Sequence, residues 1–489
     1  MPNENNDITR GNPRETESAV AEKTAIIEEI SEEKAAEVLE KIDKESGFRK
    51  YAGNWAKIIS AITVVMSLYH LITSSGAWIL PAMKHRSVHL AFLLALTFLL
   101  YPAFGKKKKG SAPSIFDLTW MAISVVSSLY ILFYFDAFSI RGSAITRDYV
   151  FGAILIVCVL EATRRTVGKE LMILSMIFLA YGLWGEYLPG LLGHTGFSVK
   201  RIVYQIYLSS EGIFGTAIGV SSTYIFLFIL FGAFLAETGM GEFIKDLAMC
   251  LAGRTIGGEA KVAIVACGLM GMINGSAVGN VAATGTFTIP MMRSAGFPPV
   301  FSAALVAAAG TGGMIMPPVM GAASFIMAEY LGMHYSKIML AAAIPAILYY
   351  VSQYAYVHIE AKKLGMTRNT GRIASVREVM GRQGYMIIPI IVIVYLLLIG
   401  RTPLYAAFYG IVSSVLVTLA VSFYKKTVRE TLRSFVRALE SGARQSISVG
   451  VACGVVASSS ASPTSAASAS CSAAASWPSP TAAYSSQPF

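Results

Sequence analysis

The chain has 489 residues, 54% of them hydrophobic and only 14% charged, where a soluble domain carries roughly a quarter charged. That deficit, with apolar runs of about 18 residues or more recurring along the chain, predicts a polytopic α-helical membrane protein. The net charge of +11 is carried by basic residues in short loops between apolar runs, a topology bias rather than a nucleic-acid footprint, so no nucleic-acid partner is expected.

Residues 1–49 form a charged tail, polar to about residue 13 and then rich in Glu, Lys and Ala. Ile27, Ile30, Val38, Leu39 and Ile42 recur at near-helical spacing, which predicts an amphipathic helix over part of the tail. No short apolar core with a cleavage site follows a basic start, so no signal peptide is expected.

Candidate spans follow at about 55–75, 88–104, 115–135, 148–163 and 170–189. Arg49, Lys50 and Lys57 precede the first, Lys106–Lys109 follow the second, and Arg164, Arg165 and Lys169 follow the fourth. This alternation predicts a cytoplasmic N-terminus, although Lys84, His85 and Arg86 blur the first loop. The four-lysine run also suits anionic membrane lipid, with topology the more economical account.

Beyond residue 200 glycine and alanine become dense. A plain span at about 218–237 is followed by two interrupted stretches, 260–292 and 299–333. The first contains "INGSAVGNVAATGTFTIP" (273–290) and the second "TGGMIMPPVMG" (311–321). Small residues alone could serve close helix packing. The crowding of Asn274, Ser276, Asn280, Thr284, Thr286 and Thr288, and two adjacent prolines, predict instead that the helices break at both places. A broken helix bares carbonyls at one half-helix end and N–H groups at the other. With Asn and Ser/Thr oxygens these can surround Na⁺ and face a carboxylate, chemistry suited to a sodium-coupled transporter. Glu329 is the carboxylate close to this region and a candidate for proton coupling, or else it faces water near a helix end. Further spans are expected at about 337–359, 385–400 and 404–423, then a basic connection "KKTVRETLRSFVR" and an apolar run from about Ser446.

Cys158, Cys250, Cys267, Cys453 and Cys471 show neither CxxC nor Cys/His spacing, so neither a disulfide framework nor a metal centre is indicated. Without a P-loop, an HExxH motif or a Ser/His/Asp grouping, no catalytic residue and no enzymatic function is expected. An ion channel or a non-transporting membrane scaffold remains the alternative to a transporter.

"NGSAVGNVAATGTFTIPMM", "AAAGTGGMIMPPVMGAASFIMAEYLG" and "AAAIPAILYY" together resemble the large membrane subunit of tripartite ATP-independent periplasmic (TRAP) transporters. The type most similar is the fused one, in which a small four-helix subunit precedes the large one. The resemblance implies an all-α polytopic integral membrane protein. A small helical bundle over 50–200 would precede the first half of an inverted-repeat, elevator-type transporter with a re-entrant hairpin over 201–456. It further implies Na⁺-driven uptake of organic acids across a bacterial or archaeal cytoplasmic membrane. Na⁺ would act as coupling ion with no other cofactor, and a periplasmic binding protein of the TAXI type would deliver the small carboxylate. Contacts to Na⁺ and substrate would fall at Asn274, Gly275, Ser276, Asn280, Thr311, Gly312, Gly313 and Pro317.

The composition shifts abruptly near Ala457. From there to residue 489 the chain is almost entirely Ala, Ser, Pro and Thr, and this low-complexity tail is expected to be disordered. A native linker would account for it. The favoured expectation is a change of reading frame, which would leave a truncated permease that does not transport.

Overall fold

The computed structural model describes residues 49, 51, 53–103, 112–190, 193–368, 374–425 and 427–460. The amphipathic segment of the N-terminal tail, the run Lys106–Lys109 and the low-complexity residues from 461 onward lie outside the described residues. Among the described residues the fold is all-helical, its one bridged pair of extended residues being Ile256 and Arg368. Seven helices are long and apolar enough to cross a membrane, as the composition predicts for a multi-pass membrane protein.

The first spans are α1 (Asn54–Ser74), α2 (Ala82–Leu100), α3 (Ile115–Arg141), α4 (Thr146–Thr166) and α5 (Lys169–Trp184). Pro81 caps α2, so the helix begins several residues before its apolar run and takes Lys84, His85 and Arg86 into its first turns. α2 is the buried member, with Leu90, Leu93, Leu94, Leu96, Phe98 and Leu99 inaccessible to solvent. α4 carries its own ion pairs. Arg165 holds Asp117 of α3 at 2.7 Å and Glu161 at 2.8 Å, with side-chain exposures of 0% for the arginine and 2% for the aspartate. Arg141 reaches Asp148 at 2.7 Å, and Tyr130 donates to the same carboxylate. Buried charges are costly unless paired and hydrogen-bonded, and both of these carboxylates are paired.

After α6 (Val199–Val203) and a π-helical turn over Tyr204–Leu208, α7 (Thr216–Glu237) crosses the interior. Three histidines scattered in the sequence meet where α1, α2 and α7 touch. His70 Nδ1 donates to the Met66 carbonyl at 2.8 Å, leaving its Nε2 to accept from His89 Nδ1 at 2.8 Å. His89 Nε2 then accepts from the Ser221 hydroxyl at 3.1 Å. With both rings neutral, this chain of partners dictates each tautomer. His85 completes the group through Tyr69, at 2.9 Å.

The remaining elements are α8 (Met240–Ala252), α9 (Gly258–Asn274), α10 (Ala277–Ser294), α11 (Pro299–Gly312), α12 (Ala322–Tyr330) and α13 (Tyr335–Lys363). They are followed by α14 (Val376–Leu398), α15 (Pro403–Lys425) and α16 (Val428–Ser460). The expected basic connection after residue 423 is corrected here. "VRETLRSFVR" opens α16, which runs unbroken for 33 residues and packs on α7, α1, α4 and α2. Ala438, Ala443, Ile447, Val451 and Val455 form its buried stripe, while Arg437 and Arg444 lie on the wetter side and pair with Glu237 and Glu440. The charged residues are thus one face of an amphipathic helix. Small residues set its depth: a Cβ on Gly450 would stand 2.4 Å from Leu93, and one on Gly442 would stand 2.7 Å from Leu230. Ser67 of α1 adds a hydrogen bond to the Leu439 carbonyl at 2.8 Å.

Candidate functional site

α9 and α10 form a helical hairpin. Its turn is only two residues long, because Gly275 takes φ 57° and Ser276 at once caps the next helix. Gly275 N–H returns to the Gly271 carbonyl, the Asn274 side chain accepts from Ser276 N–H at 3.3 Å, and the Ser276 hydroxyl accepts from Gly279 N–H at 3.2 Å. These are the ordinary devices that stop one helix and start another.

The break within 273–290 is therefore confined to Gly275 and Ser276, and the polar run after it is a correction to the expectation of irregular backbone. From Ala277 to Ser294 the helix is continuous, with Pro290 inside it. Asn280, Thr284 and Thr288 fall one turn apart on its buried face. The Thr284 and Thr288 hydroxyls donate to the carbonyls four residues back at 2.7 and 2.8 Å, so their polarity is satisfied within the helix itself. Thr286 is exposed and donates to the Ala283 carbonyl three residues back, at 3.2 Å.

The second break, by contrast, is wide. α11 ends at Gly312, a 3₁₀ turn takes Gly313–Ile315, and the chain stays irregular until Ala322. The Pro317–Pro318 peptide is cis and Met320 has φ 58°. Tyr335 anchors this segment, its hydroxyl lying 2.8 Å from the Pro318 carbonyl and 2.6 Å from that of Val319. The Tyr335 ring stacks on Phe325, which stacks on Phe228 of α7. Tyr349 and Tyr350 of α13 donate to the Ala308 and Ala309 carbonyls at 2.7 and 3.0 Å, satisfying the end of α11.

The two breaks, some forty residues apart in sequence, touch backbone to backbone. A Cβ on Gly275 would lie 1.9 Å from the Met320 carbonyl oxygen, and one on Gly271 would lie 2.3 Å from Gly313 Cα. Asn280 bridges the seam from the side. Its Nδ2 donates to the Cys267 carbonyl of α9 at 2.9 Å and to the Gly310 carbonyl of α11 at 3.2 Å. Its Oδ1 is buried with no protein partner, and a buried polar atom left unpaired calls for an explanation.

Of the residues singled out from the sequence, Asn274, Gly275, Ser276, Asn280 and Gly313 gather at this seam. Gly312 faces Tyr349, where a Cβ would stand 2.4 Å from the ring, and Pro317 belongs to the cis pair. Thr311 is exposed and donates to Ala307 of its own helix at 2.9 Å. Glu329 is exposed at the far end of α12, in a separate cavity with His85 and Arg86. Sequence reasoning gave Tyr335, Tyr349, Tyr350, Cys267 and Met320 no role at this site. The signal for Tyr349 and Tyr350 is two hydroxyls at the end of the apolar stretch "AAAIPAIL", which in a membrane must find acceptors.

The seam is lined by neutral oxygens and backbone, a hard donor set that does not suit a soft transition metal. Among the described residues no group of three or more His, Cys, Asp or Glu could hold a metal ion.

Residues 154–467, more than half of the chain, match the family model described as "Tripartite ATP-independent periplasmic transporter, DctM component". Among curated relatives, the C4-dicarboxylate TRAP transporter large permease protein DctM of Pseudomonas aeruginosa is 30% identical over 168 residues, 34% of this chain and 36% of that protein. A TRAP transporter large permease protein of Haemophilus influenzae is 34% identical over 158 residues, 32% of this chain and 35% of the relative. The isethionate TRAP transporter permease protein DctMQ of Oleidesulfovibrio alaskensis is 29% identical over 192 residues, 38% and 30% of the two chains. The chain thus spans about a third of the length of each of these relatives, which are named as permeases and not as enzymes. The paired breaks in the fold and the extent of the family match lead to one assignment: the chain belongs to the DctM component family of tripartite ATP-independent periplasmic transporters.

Proposed function

We propose that this chain is a product of the permease of a Na⁺-coupled uptake system for organic acids, in which the intact permease receives a small carboxylate from a periplasmic binding protein of the TAXI type. In this reading it sits in a bacterial or archaeal cytoplasmic membrane with its N-terminus inside, and the seam between hairpin and break moves as part of an elevator. The observation that carries the reading is the buried, unpartnered Oδ1 of Asn280 beside two glycine-rich breaks in contact. Na⁺ is the cargo that such an oxygen, together with carbonyls from the break and the Ser276 hydroxyl at the hairpin tip, would serve. A substrate carboxylate would face the hairpin tip, where half-helix N-termini carry partial positive charge. In the same reading the frame changes near Ala457, and the chain as it stands does not transport.

The test is uptake into liposomes with the binding protein present, comparing this chain with one whose frame is restored after codon 457. Na⁺-dependent accumulation of a carboxylate by the restored chain alone is expected. Uptake indifferent to Na⁺, or to the binding protein, would sink the proposal and favour a channel. No uptake by either chain would favour a scaffold.

A further inference from the structure

On the opposite end of the hairpin from its tip lies a second cavity, of about 540 Å³. The loop before α9 and the loop after α13 build it together. Ile256 and Arg368 pair across the two loops as an antiparallel bridge, and Gly257 at φ 65° presses onto Ala361, where a Cβ would stand 2.5 Å away. This brings Arg254 and Arg368 to the rim, with Tyr354 and His358 of α13 on the wall. Among the described residues that line it there is no carboxylate.

Lys261 of α9 forms the floor. It is only 2% exposed, and among the described residues no acid pairs with it. Its ammonium donates to His358 Nδ1 at 3.0 Å and lies 4.6 Å from the centre of the Tyr354 ring. A lysine has three N–H donors, so donor capacity remains after those contacts. With Nδ1 accepting, neutral His358 carries its proton on Nε2, which adds a further donor. A buried ammonium without a counter-charge is costly, and the Arg368 guanidinium beside it, with no carboxylate among the described lining residues, makes the cavity suited to an anion.

We infer that this cavity binds a tetrahedral phosphate group, held by Lys261, Arg368 and His358. Donors on three different side chains suit three or four oxygens, whereas a planar carboxylate would satisfy the Arg368 fork and leave the lysine and histidine donors idle. The group could reach the cavity as free phosphate or as the headgroup of a membrane phospholipid.

The full chain in detergent would be titrated with inorganic phosphate, with dihexanoyl phosphatidylglycerol and with sodium acetate at matched ionic strength, following the unfolding temperature. A saturable rise is expected with a phosphate-bearing probe and none with acetate. The apparent affinity should fall at least tenfold in Lys261→Met and in Arg368→Gln. Arg368 is exposed, so its variant keeps the test open if loss of the buried lysine prevents folding. A response to the lipid but not to phosphate assigns the site to a headgroup, and a response to phosphate at equal strength assigns it to the free ion. No saturable response to either probe, an equal response to acetate, or responses unchanged in both variants would overturn the inference.

Discussion

Replacing Gly275 by alanine tests whether the two breaks are held in contact. The residue sits at φ 57°, where a side chain costs about 1–2 kcal/mol for the backbone alone. The new Cβ would also lie 1.9 Å from the Met320 carbonyl oxygen, where real Cβ atoms keep about 3 Å or more from such an atom, so hairpin tip and break must part by more than 1 Å. The obstacle is backbone rather than a flexible side chain, so overpacking of about 1–3 kcal/mol is added. A total of roughly 2–5 kcal/mol corresponds to opening of the seam at least about 30-fold more often. Cys267 reports that opening, because it is fully buried with its thiol 3.1 Å from the Thr284 hydroxyl. In a chain keeping Cys267 as its one cysteine, thiol labelling should accelerate by at least that factor in Gly275→Ala. The control is Gly381→Ala, in a helix where a Cβ meets nothing within 4 Å; it should leave labelling unchanged and raise stability by up to about 1 kcal/mol. Equal labelling rates in wild type and Gly275→Ala, with equal unfolding temperatures, would refute the contact.

Tyr335→Phe removes the hydroxyl that serves the Pro318 and Val319 carbonyls, and a loss of about 1–3 kcal/mol is expected in detergent unfolding; an unchanged midpoint would mean water serves those carbonyls equally well. Arg165→Met leaves the buried Asp117 carboxylate with Arg49 alone, at 3.4 Å, and should cost about 1.5–3 kcal/mol. The double variant Arg165→Met/Asp117→Leu should recover part of that loss, and a double variant worse than the single would show the pair is not the source. Asn280→Leu removes the orphaned Oδ1 together with the Nδ2 bridge. Stabilisation of the frame-restored chain by Na⁺ over K⁺ should vanish in it, and persistence of that difference would place the ion elsewhere.

The positions of most spans were legible because membrane burial imposes length and apolarity on contiguous residues. The runs anticipated near 55–75, 337–359 and 404–423 correspond to helices Asn54–Ser74, Tyr335–Lys363 and Pro403–Lys425. Amphipathic helices obeyed a different rule and were harder to see. In α16 the charges of "VRETLRSFVR" read as a loop in linear order, and they become one solvated face only when wound at 3.6 residues per turn. The histidines at 70, 85 and 89 looked scattered because their meeting depends on how α1, α2 and α7 pack.

At the candidate site, glycine, proline and asparagine announced that helices stop, since those residues change what the backbone can do within a few positions. Sequence alone therefore determined the all-helical membrane architecture and the two places of interruption. It could not tell a two-residue turn from a nine-residue unwinding. It could not say that Thr284 and Thr288 answer their own helix while Asn280 spans two others. Nor could it supply Tyr335, Tyr349 and Tyr350 as partners for the freed carbonyls. Those facts belong to the tertiary structure, because a hydrogen bond between helices depends on the distance between residues that the chain places tens of positions apart.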